Sequence, residues 1–156
     1  MKKHYRAMVL LLSIFLGGCA YYRPLMGDYP EHIEWRESEK SYEVVFDDAV
    51  DMLTEYGYLP EMIDRTNGVI RVKGFVSLLS ATFESKGKPF NESKLVVMAT
   101  NGPIVDKIPA TLVVLIRANN AASTVGVKMI LTGGDKYAQM ASLGNLEREV
   151  VQKMVK

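Results

Sequence analysis

The stretch from position 112 to position 131 constrains the fold more than any other part of the chain. Five consecutive apolar residues occupy 112–116, a polar turn follows at 119–123, and apolar residues then alternate with others over 124–131. A continuous apolar run is typical of a strand covered on both faces, and a period of two is typical of a strand with one buried face. These segments predict a central strand that a turn joins to a second strand.

A first amphipathic helix is predicted in the N-terminal half. A short strand over 42–46 leads into a helix that Asp47 or Asp48 can cap and that runs to about Tyr56, where Gly57 ends it. Apolar residues recur along this segment at three- and four-residue spacing, which is the period of a helix with one buried face.

A second amphipathic helix is predicted at the C terminus, with Ser142 or Asn145 as its cap. Its apolar stripe consists of Leu143, Leu146, Val150, Val151, Met154 and Val155. Its polar face consists of Glu147, Arg148, Gln152 and Lys153. Such a division is expected of a helix that lies on a core with one side and faces water with the other.

Shorter strands complete the pattern. The segment 58–64 contains Pro60 and is predicted as an edge strand, and Thr66-Asn67-Gly68 is typical of a type I′ hairpin turn before a return strand over 69–73. Another strand is predicted over 94–99, and a loop over 101–109. The element order predicts an α+β domain of two layers, an antiparallel sheet of about five strands with two helices on one face.

The first 18 residues have the layout of a secretory signal peptide. Lys2, Lys3 and Arg6 precede an apolar run over 7–16 that ends in small residues. That run is about ten residues long, whereas a membrane-spanning helix needs about 20. Charged residues interrupt every later apolar stretch, so we predict that the mature chain does not span a membrane.

The residues Leu16, Gly17, Gly18 and Cys19 together resemble the lipobox of bacterial lipoproteins. The resemblance implies that Cys19 is the first mature residue and carries acyl chains, whose buried methylenes contribute about 0.8 kcal/mol each to membrane attachment. The alternatives are a chance cysteine in an ordinary signal peptide and a buried thiol. By analogy with lipoproteins of Gram-negative bacteria, Ala20 implies export to the outer membrane, facing the periplasm.

Residues 19–40 are predicted to be a lipidated tether ahead of a single domain over 41–156. The segment has no sustained period, and a tether of about twenty residues extends to about 65 Å at most. Tyr29 and Trp35 could rest at the membrane interface or pack against the domain as a strap, and the sequence leaves both alternatives open.

A broader resemblance follows from the order of these elements. The lipobox, the 42–46 segment before a helix that ends at Tyr56-Gly57-Tyr58, the sequence Asn67-Gly68-Val69-Ile70, and Gly133-Gly134-Asp135 before the last helix together resemble small bacterial lipoproteins of unknown function. The likeness covers residues 41–155 and lies in element order and apolar positions. Such families have no assigned catalytic residues, so the resemblance implies none here.

Charge and composition exclude several classes of function. Loss of the signal peptide lowers the basic count from 19 to 16 while all 18 acidic residues remain, so the mature net charge is −2. Nucleic-acid binding needs a basic footprint, and we predict none. With Cys19 acylated no thiol remains, and His32 is the one mature histidine. We therefore expect neither a disulfide nor a metal site, and no cofactor.

Three local patterns could indicate catalysis, but each has a simpler interpretation. The acidic residues at 47–55 could do acid–base work or hold calcium, yet a solvated helix face explains them. Ser142 lies in a pattern that lacks the first glycine of a nucleophile elbow and any later histidine. Gly133 and Gly134 lack the spacing of a phosphate loop. His32, between Glu31 and Glu34, is expected to be solvated.

The segment 75–93 is the predicted working surface, because its pattern commits to neither helix nor strand. The residues expected to contact a partner are Phe75, Leu79, Phe83 and Phe90. Apolar residues in a long irregular segment are often interaction sites. The alternative is that Phe75, Leu79 and Phe83 fill the core.

The sequence therefore favours a membrane-anchored, non-enzymatic module that binds or scaffolds an envelope protein. A second hypothesis is a binding module for an apolar or glycan ligand held between sheet and helices. A third, an envelope hydrolase, rests on the acidic residues alone.

Overall fold

The computed structural model describes residues 24–99, 107–132 and 139–156. The predictions for the signal peptide, for Cys19 and for Gly133 and Gly134 lie outside these residues. In the part of the chain that the structure describes, no helix is long and apolar enough to cross a membrane.

The fold is α+β, as predicted. The strands are β1 (Glu34–Ser38), β2 (Pro60–Asp64), β3 (Val69–Ser77), β4 (Ala81–Ser85), β5 (Lys88–Pro89), β6 (Val96–Met98), β7 (Lys107–Asn119), β8 (Ala122–Leu131) and β9 (Met140–Ser142). The helices are α1 (Tyr42–Glu55) and α2 (Asn145–Met154), and a 3-10 turn spans Leu78–Ser80.

The strands form two sheets. The first has five antiparallel strands in the order β1-β8-β7-β3-β2, and both helices contribute to the core that covers one of its faces. The second has the order β5-β4-β6-β9 and includes one parallel pair, β4 with β6. The predicted central strand is confirmed, because β7 is the middle strand of the first sheet, and Pro60 lies in an edge strand as predicted.

The core lies between the first sheet and the helices. Alternate residues of the central strands point into it, as the fully buried Val114 of β7 and Val127 of β8 show. The helices contribute Val45, Phe46, Ala49, Leu53, Val150, Val151 and Met154.

The predicted strand over 42–46 is wrong, because these residues form the first turns of α1. Val45 and Phe46 are both fully buried, whereas Val44 is 47% exposed. Neighbouring side chains of a strand point to opposite faces, but on a helix they can share one buried stripe. Asp47 and Asp48 therefore lie inside the helix, and Ser41 precedes it without a side-chain capping bond.

The hairpin predicted at Asn67-Gly68 is confirmed, but its turn type is not I′. Asp64 pairs with Val69, so the loop has four residues, and of the two turn residues Gly68 alone has a positive φ, 66°. A type I′ turn needs positive φ at both central residues. Lys86 and Gly87, with φ of 52° and 78°, meet that condition between β4 and β5.

Part of the predicted tether belongs to the domain. Glu34–Ser38 forms the edge strand β1 against β8. The Trp35 ring covers Gly126, where a Cβ would lie 2.6 Å from ring atoms, and the Arg117 guanidinium stacks on the same ring at 4.4 Å. Trp35 therefore packs against the domain, which was one of the two predicted alternatives, because Gly126 on the facing strand leaves space for its ring.

The second helix begins differently from the prediction. Gly144, with φ of 75°, precedes Asn145, and Ser142 lies in β9. Glu147, predicted on the polar face, is fully buried. Its Oε1 accepts hydrogen bonds from the Ser142 hydroxyl at 2.6 Å and the Met129 amide at 3.3 Å, and these donors compensate part of the cost of burying the carboxylate.

Candidate functional site

An apolar cavity opens where two small residues meet in the first sheet. Gly74 of β3 pairs with Ala110 of β7 on the helix-facing side of the sheet. A Cβ built on Gly74 would meet no atom within 4 Å. Because neither residue fills the space above the sheet, a cavity of about 240 Å³ remains there.

The cavity lies between the first sheet, the start of α2 and the residues before β6. Its walls consist of Val72, Gly74, Val76, Ser77, Ser80, Leu95, Ala110, Leu112, Met129 and Leu146. Tyr58 also lines it and is 42% exposed, so it forms part of the rim. Phe75 is next to Gly74 in β3, but its side chain points to the opposite face of the sheet, where the Lys107 Nζ lies 5.8 Å from the centre of its ring. The site can therefore take an apolar group from outside the domain.

The four residues predicted to contact a partner are all exposed. The exposed fraction is 68% for Phe75, 85% for Leu79, 46% for Phe83 and 83% for Phe90. The alternative that Phe75, Leu79 and Phe83 fill the core is wrong. Burial of large apolar side chains is normally favourable. Where several of them are exposed close together, they indicate a contact surface.

The structure separates these residues into two groups. Phe83 and Phe90 face each other across the β4–β5 hairpin, where the Phe90 amide donates to the Phe83 carbonyl oxygen at 2.9 Å. Phe75 lies in the first sheet with its side chain on the face opposite the cavity, and Leu79 lies in the 3-10 turn beside the cavity residues Ser77 and Ser80. Segment 75–93 looked ambiguous because it combines a strand end, a 3-10 turn and a tight hairpin in 19 residues.

A second feature, which the sequence did not indicate, holds the chain ahead of β1. Residues 24–33, here called the strap, cross the second sheet, where the Glu84 carboxylate accepts hydrogen bonds from the Met26 amide at 2.8 Å and the Gly27 amide at 2.6 Å. The Leu25 amide donates to Gln139 Oε1 at 2.8 Å. No local pattern marks Glu84, because its partners lie 57 and 58 positions away.

The ionisation of Glu84 follows from this environment. Burial alone raises the pKa of Glu84, but the Met26 and Gly27 amides, and then the nearby Tyr29 hydroxyl, more than compensate, so the pKa lies below its ordinary value of 4.5. Burial, and then the nearby Glu84 carboxylate, raise the pKa of Tyr29 to about 12. The Tyr29 hydroxyl is buried without a hydrogen bond of good geometry in the described part of the chain. Glu84 is therefore charged, and Tyr29 neutral, at physiological pH.

The strap attachment is expected to weaken in acid. The lowered folded pKa of Glu84 means that its stabilising effect is complete above pH 4.5 and is lost as pH falls through the folded value. Glu84→Gln should cost about 1.5–3 kcal/mol at neutral pH, the range for hydrogen bonds to charged groups. Guanidinium unfolding at a series of pH values should show this difference shrink below pH 4.5. A difference independent of pH would contradict the assignment.

A polar pocket of about 180 Å³ lies beneath the strap, lined by His32, Lys128 and Ser142 among others. The Ser142 hydroxyl donates to Glu147, and its oxygen accepts from the Gly144 amide at 3.1 Å. A nucleophilic serine would donate to a base such as histidine, so this arrangement is that of a structural bridge. His32 is exposed, as expected.

The acidic residues of α1 form a solvated face, as predicted. Arg65 forms ion pairs with Glu43 and Asp47, and Lys40 pairs with Asp48 at 2.8 Å. Within residues 24–99, 107–132 and 139–156, no group of three or more His, Cys, Asp or Glu side chains could hold a metal ion.

Comparison with known proteins gives only distant likenesses to solved structures. The chain is similar, for example, to the crystal structure of a DUF4468 family protein from Bacteroides ovatus, with 12% sequence identity, over 85% of this chain and 86% of that chain, at a TM-score of 0.35. At this TM-score the likeness carries no argument about function. No protein-family model matches the chain, and no curated protein matches it in sequence.

Proposed function

We propose that the protein is a lipoprotein of the bacterial cell envelope, held through acyl chains on Cys19 at the periplasmic face of the outer membrane, and that it binds a protein partner without catalysing a reaction. The observation that carries the proposal is the apolar cavity with Tyr58 exposed at its rim and Leu79 exposed beside it. An apolar side chain of the partner enters the cavity, while Tyr58 and Leu79 contact the surface around it.

The size of the cavity favours a protein partner over a small ligand. Pockets for small molecules usually measure about 300–1,000 Å³, whereas this one measures about 240 Å³. A single large apolar side chain fits such a volume, and a buried anchor of this kind typically carries much of the binding energy of an interface. An apolar ligand remains the second candidate, because the cavity is apolar and lies between sheet and helix.

Filling the cavity is expected to block binding and to stabilise the fold. Gly74→Ile places a branched side chain in free space, and it also removes the entropic cost of a glycine within a strand. The gain should be about 1–2 kcal/mol, which raises Tm by a few degrees. Lys73→Ile is the matched control, because the adjacent residue of β3 points to the opposite face and is exposed.

The partner is detected with a photoreactive amino acid at position 58 or 79 of the full chain in cells. Protein adducts should form at both positions, should be lost with Gly74→Ile, and should persist with Lys73→Ile. Adducts that survive Gly74→Ile would contradict the cavity as the docking site. Native mass spectrometry tests the second candidate, since a small apolar molecule that Gly74→Ile displaces would favour a ligand-binding module.

A further inference from the structure

The strap determines where the chain leaves the domain on its way to Cys19. Gly27, held by Glu84, packs so closely against the tip of the β4–β5 hairpin that a Cβ on it would lie 2.2 Å from the Gly87 carbonyl oxygen. Pro24, the first residue that the structure describes, is only three positions ahead of Gly27 and its contact with the hairpin tip.

The remaining path to the lipid is short. Cys19 precedes Pro24 by five positions, and five residues extend to at most about 17 Å. An acylated Cys19 thus brings the hairpin end of the domain close to the bilayer surface. The chain between the lipid and the domain is therefore much shorter than the reach of about 65 Å expected of a free tether.

The surface at this end is apolar and aromatic. Phe83 and Phe90 point to the same side of the hairpin, since residues directly opposite in a ladder share a face. They are 46% and 83% exposed, and Met26 of the strap is 71% exposed. A membrane interface accommodates such side chains, because rings and thioether chains bury there while neighbouring polar groups stay hydrated.

The same end carries unpaired positive charge. Lys86 lies at the hairpin tip. Lys88 lies opposite Ser85 in the β4–β5 ladder, on the face of the hairpin that bears Phe83. Both lysines are exposed, and neither forms a salt bridge with an acidic side chain in the described residues. Asp28 of the strap and Glu92 are the exposed acids nearest in sequence to this end, while Glu84 is buried and bound to the strap.

We propose that the β4–β5 hairpin, together with Met26, is a membrane-docking surface that rests on anionic phospholipids of the leaflet holding the anchor. The inference rests on the lipid anchor of the proposed function and goes beyond it, because it sets the orientation of the domain. Phe90 and Phe83 enter the interface, and Lys86 and Lys88 contact headgroup phosphates. The cavity and Leu79 beside it are then left free for the partner.

The orientation is measured on the acylated full protein in vesicles of phosphatidylethanolamine and phosphatidylglycerol. Cys19 is the only cysteine and is blocked by its lipid, so Lys88→Cys or Phe90→Cys introduces one site for a fluorophore. Fluorescence at both sites should be quenched by lipids that carry a nitroxide on the acyl chain. A label at Leu59→Cys, which is 76% exposed on another part of the domain, should not be quenched.

A second measurement separates the hairpin from the anchor. The mature chain with Cys19→Ser should co-sediment weakly with the same vesicles, less in high salt and less with phosphatidylcholine alone. Lys86→Ser with Lys88→Ser should lower the partition coefficient by about 25-fold, from about fivefold per lysine near an anionic surface, and Phe90→Ser should lower it further. Leu59→Ser and Lys156→Ser are the controls and should leave it unchanged.

The outcomes distinguish the two proposals. If the protein is acylated but the labels at positions 88 and 90 remain unquenched, the docking surface is wrong while the anchor stands. If Cys19 is not acylated in cells, the anchor fails, and binding of the Cys19→Ser chain to the vesicles then decides whether the hairpin has lipid affinity of its own. Equal binding by the lysine variant and the controls would overturn the docking surface.

Discussion

Val114→Asp is expected to unfold the domain. Val114 is fully buried in β7, the middle strand of the first sheet, and pairs with Ile70 and Val127, which are also fully buried. A carboxylate there would have no partner, and burying an unpaired charge costs several kcal/mol or more. Because a domain of this size has a total stability of about 5–15 kcal/mol, one such change removes most of it.

Leu115→Asp is the matched control for Val114→Asp. Leu115 is the next residue of the same strand, but it points to the other face of the sheet and is only partly buried. Its carboxylate can reach water, so the loss of stability should be smaller. Circular dichroism during thermal and guanidinium unfolding measures both variants. Equal losses for the two would show that the assignment of sheet faces is wrong.

Cys19→Ser is expected to abolish lipid attachment completely. In the proposed lipoprotein the acyl anchor forms on the cysteine sulfur, and serine provides no thiol. Without acyl chains, whose methylenes contribute about 0.8 kcal/mol each, the hairpin alone gives weak and salt-sensitive membrane binding. Metabolic labelling with palmitate and fractionation of cells measure the effect, and Ala20→Ser, one position later, should label normally. A Cys19→Ser protein that still labels and stays with membranes would refute the lipobox interpretation.

Sequence patterns predicted the elements whose signals are local. The apolar run over 112–116 predicted the central strand, Asn67-Gly68 predicted a hairpin, and the C-terminal stripe predicted α2. The segment 42–46 was mispredicted because the apolar residues Tyr42, Val44 and Phe46 alternate as in a strand, whereas the buried stripe of the helix contains Val45 and Phe46 and leaves Val44 exposed. A short apolar segment satisfies both periods, and only packing decides between them.

The candidate site was predictable in part. The exposed residues of segment 75–93 were identified from the sequence, because the segment has no sustained period. The cavity was not identified, although a glycine inside a strand pattern, Gly74, signals a space or a close approach. The cavity also needs Ala110 opposite Gly74, and that pairing joins positions 36 residues apart through the register of β3 with β7.

By itself, the sequence determined the fold class, the central strand, the edge position of Pro60 and the presence of two amphipathic helices. These follow from hydrophobic period and turn residues, which act between neighbours in the chain. Only the tertiary structure decided that Glu84 holds the strap, that Glu147 is buried, and that Trp35 belongs to the sheet. Each of these depends on groups far apart in sequence, because a hydrogen-bond donor or a free space becomes available only when distant elements pack together.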